Sequence, residues 1–161
     1  MIHNGRYIRN MEGAVFNFIR DMNMKEGVLN VSSVNNKFDR IVTTQKSKYY
    51  VKFKREFFNT FNEQFRKFIS ENPEYSSLGE SINKESLEQA IKTGCEWVII
   101  IYKDGKMYRV NPRLWMNFAV SNNLIRTQEK ENTFTRDDMS GNKETVNETT
   151  CSIPLKLMER I

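Results

Sequence analysis

Asp39 heads one short apolar run, Phe38-Asp39-Arg40-Ile41-Val42-Thr43-Thr44, and lysines alternate with Tyr, Val and Phe along the next, Lys48-Tyr49-Tyr50-Val51-Lys52-Phe53-Lys54-Arg55. A carboxylate beside ammonium groups on neighbouring strands suits phosphate chemistry. The carboxylate can help to hold a divalent metal, and a lysine can orient water or stabilise charge developing on a phosphoryl oxygen. Lys46, Lys48, Lys52, Lys54 and Arg55 also form a basic cluster that would contact a phosphate backbone.

Other chemistries are short of residues. The single histidine, His3, leaves no economical His-based zinc site, Ser-His-Asp triad or Cys-His pair. Cys95 and Cys151 lack metal-ligand spacing and read as reduced, half-buried thiols rather than a disulfide. No glycine-rich loop follows any apolar run, which disfavours nucleotide-dependent enzymes. Hydrolysis would have to run on carboxylates and lysines, with a bound metal.

The elements that must position these groups follow from periodicity. Ile8, Met11, Val15, Phe18, Ile19 and Met22 recur at helical spacing behind a cap at Asn10, and Gly27 ends the pattern. Residues 28–34, 38–44 and 48–55 read as three strands. On the third, Tyr49, Val51 and Phe53 share one face, and Lys48, Tyr50, Lys52 and Lys54 the other. Phe57, Phe58, Phe61, Phe65, Phe68 and Ile69 mark a helix. Residues 73–80 read as a loop, and Ser81 or Asn83 caps a shorter helix with Leu87, Ala90 and Ile91 inward.

Trp97-Val98-Ile99-Ile100-Ile101-Tyr102 is apolar without alternation, the mark of a strand buried on both faces. Asp104-Gly105 turns it into a hairpin through residues 107–110, and Asn111-Pro112 opens a last helix with Leu114, Trp115, Phe118 and Ala119 inward. Residues 126–149 are polar and charged and read as a long loop; residues 152–158 close the chain as a short strand or helix.

At 161 residues and 39% hydrophobic content the chain is expected to form one domain, residues 1–161, with a real core. No apolar run is long enough for a bilayer and no signal peptide is visible, so no membrane partner and a cytoplasmic location are expected. The net charge of +5 favours a polyanionic partner.

The order helix, three strands, helix, buried strand resembles the restriction-endonuclease-like nucleases of the PD-(D/E)xK motif, including the archaeal Holliday junction resolvases, over roughly residues 8 to 120. The resemblance implies an α/β fold with a mixed central sheet flanked by helices. It implies a magnesium- or manganese-dependent DNA endonuclease, with Asp39 opening the second core strand and Lys54 as the motif lysine. Lys52 stands where the second carboxylate is expected, so the motif is degenerate, and at about 4 Å its charge would repel a divalent ion by several kcal/mol. Glu12, on the first helix, matches an acidic residue that assists in the resolvase branch; Glu12 and Asp39 are the implied metal ligands. Glu12, Glu56 or Glu63 could supply the missing oxygen, or the metal is gone and the lysines bind phosphate directly.

Three functions follow: a metal-dependent DNA phosphodiesterase, a nucleic-acid binder that does not cut, and a non-catalytic structural or protein-interaction domain. The last would assemble, for instance as a homodimer, through the apolar hairpin strand and the helix around Trp115.

Overall fold

The computed structural model describes residues 2–34, 39–54, 62–133 and 143–161, with side chains described at 13–129 and 147–161 within them. It is a mixed α/β structure. Helix α1, Ile2–Glu26, starts earlier than its cap-like Asn10 suggests. It ends where Gly27 takes φ +75° and Asn23 Oδ1 accepts the amide of Val28 at 3.0 Å. Strands β1 (Val28–Ser33), β2 (Arg40–Thr44) and β3 (Lys48–Lys54) then form an antiparallel meander. The Thr44 hydroxyl accepts the amides of Lys46 and Ser47 and so fixes the turn between β2 and β3.

Helix α2, Glu63–Glu71, starts at Asn62, whose side chain accepts the amides of Gln64 and Phe65. Phe65 and Phe68 are its buried residues; Phe57, Phe58 and Phe61 lie outside the described residues. Residues 73–80 are not all loop. Strand β4, Gly79–Asn83, runs into helix α3, Lys84–Lys92. Strand β5 (Trp97–Tyr102), strand β6 (Met107–Val110) and helix α4 (Pro112–Ser121) form where expected, with Asn111 capping α4 and Trp115 and Ala119 buried, but Leu114, expected inward, is exposed.

The segment 126–149, expected as a loop, instead contains most of β7 (Ile125–Thr133) and β8 (Lys143–Pro154), paired antiparallel in register from Ile125↔Cys151 to Thr133↔Lys143. The chain ends with a short 3-10 turn, Leu155–Leu157, and strand β9, Glu159–Arg160. Among the described residues no helix is long and apolar enough to cross a membrane.

Two sheets result. The larger has the order β1-β2-β3-β5-β6-β9, and the smaller β4-β8-β7. In the larger, β3 and β5 run parallel, Tyr49↔Trp97 through Lys54↔Tyr102, so the chain must cross over between them through α2, β4 and α3. Residues 98–102 of β5 are buried on both faces, as a continuous apolar run requires.

Alternation along the central strands divides the core in two. Val42, Tyr49, Val51, Phe53, Ile99 and Ile101 pack with Val15 and Phe18 of α1. Ile41, Tyr50, Ile100 and Tyr102 face the other way, toward Phe65, Leu87, Trp115 and Ile153 of α2, α3, α4 and β8. Trp115 is completely buried and donates its indole N–H to the carbonyl of Cys151 at 3.1 Å, so this side chain belongs to the core, while Leu114 and Val120 of the same helix are exposed. Both cysteines are free and buried.

Candidate functional site: a buried carboxylate–lysine seam

Period-two alternation puts Tyr50, Lys52 and Lys54 on the face of β3 that looks away from α1. Pairing of β2 with β3 brings the start of β2 alongside, Arg40↔Val51, and Asp39 directly precedes it. The Asp39 carboxylate is 2% exposed. Its Oδ2 accepts the Tyr50 hydroxyl at 2.7 Å and the Lys52 ammonium at 3.2 Å. The structure thus brings together Asp39, Lys52 and, one pleat along, Lys54.

Lys54 turns to a residue outside the expected set. Its Nζ lies 3.2 Å from Glu80 Oε1 and donates to the carbonyl of Ser81 at 2.8 Å. Glu80 is as buried as Asp39. Its Oε1 also accepts the Ser81 amide at 3.0 Å, and its Oε2 accepts the hydroxyl of Tyr102 at 2.8 Å. Burial pushes both tyrosine hydroxyls well above their ordinary range, reinforced by the charge of Asp39 at Tyr50 and of Glu80 at Tyr102. Both therefore remain proton donors to their carboxylates.

Glu80 was missed because residues 73–80 lack apolar periodicity. The readable signal lay elsewhere: a Tyr ending the apolar run 97–102 needs a hydrogen-bond partner for its hydroxyl once buried. The seam sits at the carboxyl ends of the parallel strands β3 and β5, the end of such sheets where ligands bind.

The remaining candidates are elsewhere. Lys46 is exposed in the turn before β3, and Lys48 is the first residue of that strand, about 20 Å from Lys54 along it. Lys48 donates to the carbonyl of Thr93 at 3.1 Å. Arg55 and Glu56 lie outside the described residues, as does the side chain of Glu12. The helix that carries Glu12 packs on the opposite face of the sheet from the Asp39–Lys52 pair. The expected basic cluster is therefore divided between the two ends of β3.

The magnesium or manganese ion implied by the motif needs carboxylate oxygens open to it. Here Asp39 Oδ2 and both oxygens of Glu80 are taken by internal donors, and an ammonium stands on each carboxylate. Among the described residues no group of three or more His, Cys, Asp or Glu side chains could hold a metal. These residues do not fit the divalent ion in this arrangement. No family model, no curated protein sequence and no solved structure matches the chain.

Proposed function

We propose that this chain is a nucleic-acid-binding domain on a restriction-endonuclease-like scaffold that works without a divalent metal at Asp39. The observation that carries the reading is the Lys52 ammonium 3.2 Å from the Asp39 carboxylate, with side chains 10% and 2% exposed. On the resemblance to the PD-(D/E)xK nucleases, this pair would stand in place of the motif's two carboxylates. The element order supports the scaffold: a helix on one face, a three-strand meander, a crossover, and a strand parallel to the third.

One buried ion pair, Asp39–Lys52, and one partly exposed one, Lys54–Glu80, support a functional role for the seam. Well-packed apolar residues of similar volume often stabilise a fold as well or better, so stability alone gives weak reason to keep them. The partner follows from charge: outside residues 125–154 the chain carries 21 basic against 14 acidic residues, a balance of +7, which suits a polyanion.

Fluorescence anisotropy with branched, single-stranded and duplex DNA tests the reading. Binding should be the same in EDTA and in manganese, and should fall steeply between about 50 and 200 mM salt. No binding at low salt removes the reading. Manganese-dependent cleavage that is lost in Asp39→Ala and Glu80→Gln replaces it with the hydrolytic one.

One observation favours a protein partner instead. Among the described residues β1 is an unpaired edge of the larger sheet, carries no charged residue, and exposes Leu29 at 64% and Val31 at 39%, whereas the opposite edge is the short, charged β9. Light scattering that shows a concentration-dependent dimer, weakened by Val31→Lys, is the result expected from this second reading.

A further inference from the structure

A cavity of about 570 Å³ lies on the face of the larger sheet opposite the seam, between one flank of α1 and the turn that joins β5 to β6. That volume falls within the range of small-molecule sites, about 300–1,000 Å³. Gly13, Asn17 and Asp21 follow one another four residues apart and line the helix wall. Phe18, Ile101 and Met107 form an apolar floor, continuous with the core against α1. Lys103 and Asp104 stand on the opposite wall.

Both walls are anchored independently of any ligand. Val15 and Phe18 fix the helix in the core. The turn is held by the Lys103 amide, which donates to the Lys54 carbonyl at 3.0 Å, and by the Gly105 amide, which donates to that of Tyr102 at 2.9 Å. Gly13 has no packing reason to lack a side chain, because a Cβ added there meets nothing within 4 Å. Glycine inside a helix weakens it relative to alanine. What the missing side chain does secure is open space at the cavity wall.

The polar groups on the walls suit a neutral ligand that carries N–H donors. Asp21 Oδ1 is 3.7 Å from Arg20 Nε and Asp104 Oδ2 is 3.6 Å from Lys106 Nζ, both too long for hydrogen bonds. The carboxylates therefore keep accepting oxygens, while Arg20, Lys103 and Lys106 already offset their charge. Among the described residues the Asn17 amide has no hydrogen-bond partner, and it offers a donor and an acceptor one helical turn from Asp21. We propose that this cavity takes a nucleobase with an exocyclic amine, its ring on the apolar floor and its hydrogen-bonding edge on Asn17 and Asp21. The amine donates to the carboxylate and a ring acceptor takes the Asn17 N–H, as such side chains do at base edges. The base can come from a free nucleoside or from an unpaired position in a nucleic acid, so the inference goes beyond the reading above and does not depend on it.

Methyl NMR of the whole chain, titrated with nucleosides, tests it. Ala14, Ile101 and Met107 carry methyl groups at the cavity, and Ile82 and Ile153 lie in the other core as controls. Cytidine and adenosine should shift the cavity methyls saturably and leave the controls unmoved. Uridine, whose edge sets carbonyl oxygens against the carboxylate, should bind about tenfold more weakly. Ala14→Leu, which fills the cavity, should abolish the shifts at Ile101 and Met107. Asp21→Asn keeps the shape of the wall and should bring cytidine and uridine level.

Cavity methyls of the wild type that stay still at about 10 mM of every nucleoside overturn the proposal, whether or not a variant folds. Equal affinity for cytidine and uridine, or a preference that survives Asp21→Asn, overturns it too, because the base edge then does not meet Asp21. The source is read with a DNA duplex carrying one unpaired cytosine, against the same duplex with an abasic position there. Shifts that need the cytosine place an unpaired base in the cavity, and shifts with nucleosides alone make a free nucleoside the ligand. DNA that binds while these methyls ignore both DNA and nucleosides removes this proposal and leaves the nucleic-acid reading standing.

Discussion

Lys54, at the end of the central strand of the larger sheet, reaches Glu80 on the edge strand of the smaller one, Nζ to Oε1 at 3.2 Å. Tyr102, the register partner of Lys54 on β5, donates to the other oxygen of Glu80 at 2.8 Å. Two adjacent strands of one sheet thus grip a single carboxylate of the other. The contact ties the sheets together at the point where the candidate site lies.

Removing one partner of this clamp should be costly. Lys54→Met leaves Glu80 a buried carboxylate with only Tyr102 and the Ser81 amide, and breaking such a pair costs about 3–5 kcal/mol. Adding Glu80→Gln should recover part of that loss, because no uncompensated charge then remains. Urea denaturation of the two single variants and the double gives the coupling. Strict additivity would mean that the two side chains do not interact in solution.

Lys52→Glu reverses the charge beside Asp39 and writes two carboxylates into neighbouring strands. In EDTA the variant should be strongly destabilised, since like charges at about 4 Å repel by about 4 kcal/mol at an effective dielectric of about 20. Manganese should restore much of the loss by binding between the carboxylates, whereas the wild type should show no manganese-dependent shift in thermal midpoint. A wild-type protein that melts higher in manganese would show that the Lys52 ammonium gives way to the ion.

Much of the fold was legible because one face of each element is apolar. The alternation of residues 48–55, the continuous run 97–102 and the Asn111-Pro112 helix start each signal a burial pattern directly. The strands β7 and β8 were not legible for the opposite reason. Between Arg126 and Thr149 Val146 is almost the only aliphatic residue, so pairing there is a matter of backbone hydrogen bonds and contacts such as Thr127 to Thr149, 3.0 Å between hydroxyls. At the site, the sequence placed Asp39, Lys52 and Lys54 on adjacent strands. It could not show that Lys54 pairs with a residue 26 positions away on another sheet, because such a contact depends on the crossover between β3 and β5.

Gly79 marks where that crossover is tight. A Cβ added there would fall 2.4 Å from the Phe65 ring and 2.6 Å from the carbonyl oxygen of Ile153, one residue before Glu80. Phe65 is completely buried and cannot withdraw without moving α2. Gly79→Ala should therefore destabilise by about 1–3 kcal/mol through overpacking. Calorimetric melting measures it, and a change within about 0.5 kcal/mol would mean that β4 sits farther from α2 than described.

The buried tyrosines contribute to the alkaline limit of stability. Burial, then the hydrogen bond to Glu26, raises Tyr49 from 10.0 to about 12, and burial raises Tyr50 and Tyr102 further. A hydroxyl that titrates higher in the folded chain loses its proton first in the unfolded one. The stability it contributes is complete below pH about 10 and falls as the pH climbs through its folded value, by about 1.4 kcal/mol per unit for each tyrosine. Thermal midpoints should be flat with respect to these groups up to pH about 10 and drop steeply between about 10 and 12. Three of the six tyrosines, followed by absorbance near 295 nm, should ionise only as the protein unfolds. Tyr49→Phe should reduce the slope by about one proton, and a slope unchanged in that variant would place the Tyr49 hydroxyl in water rather than on Glu26.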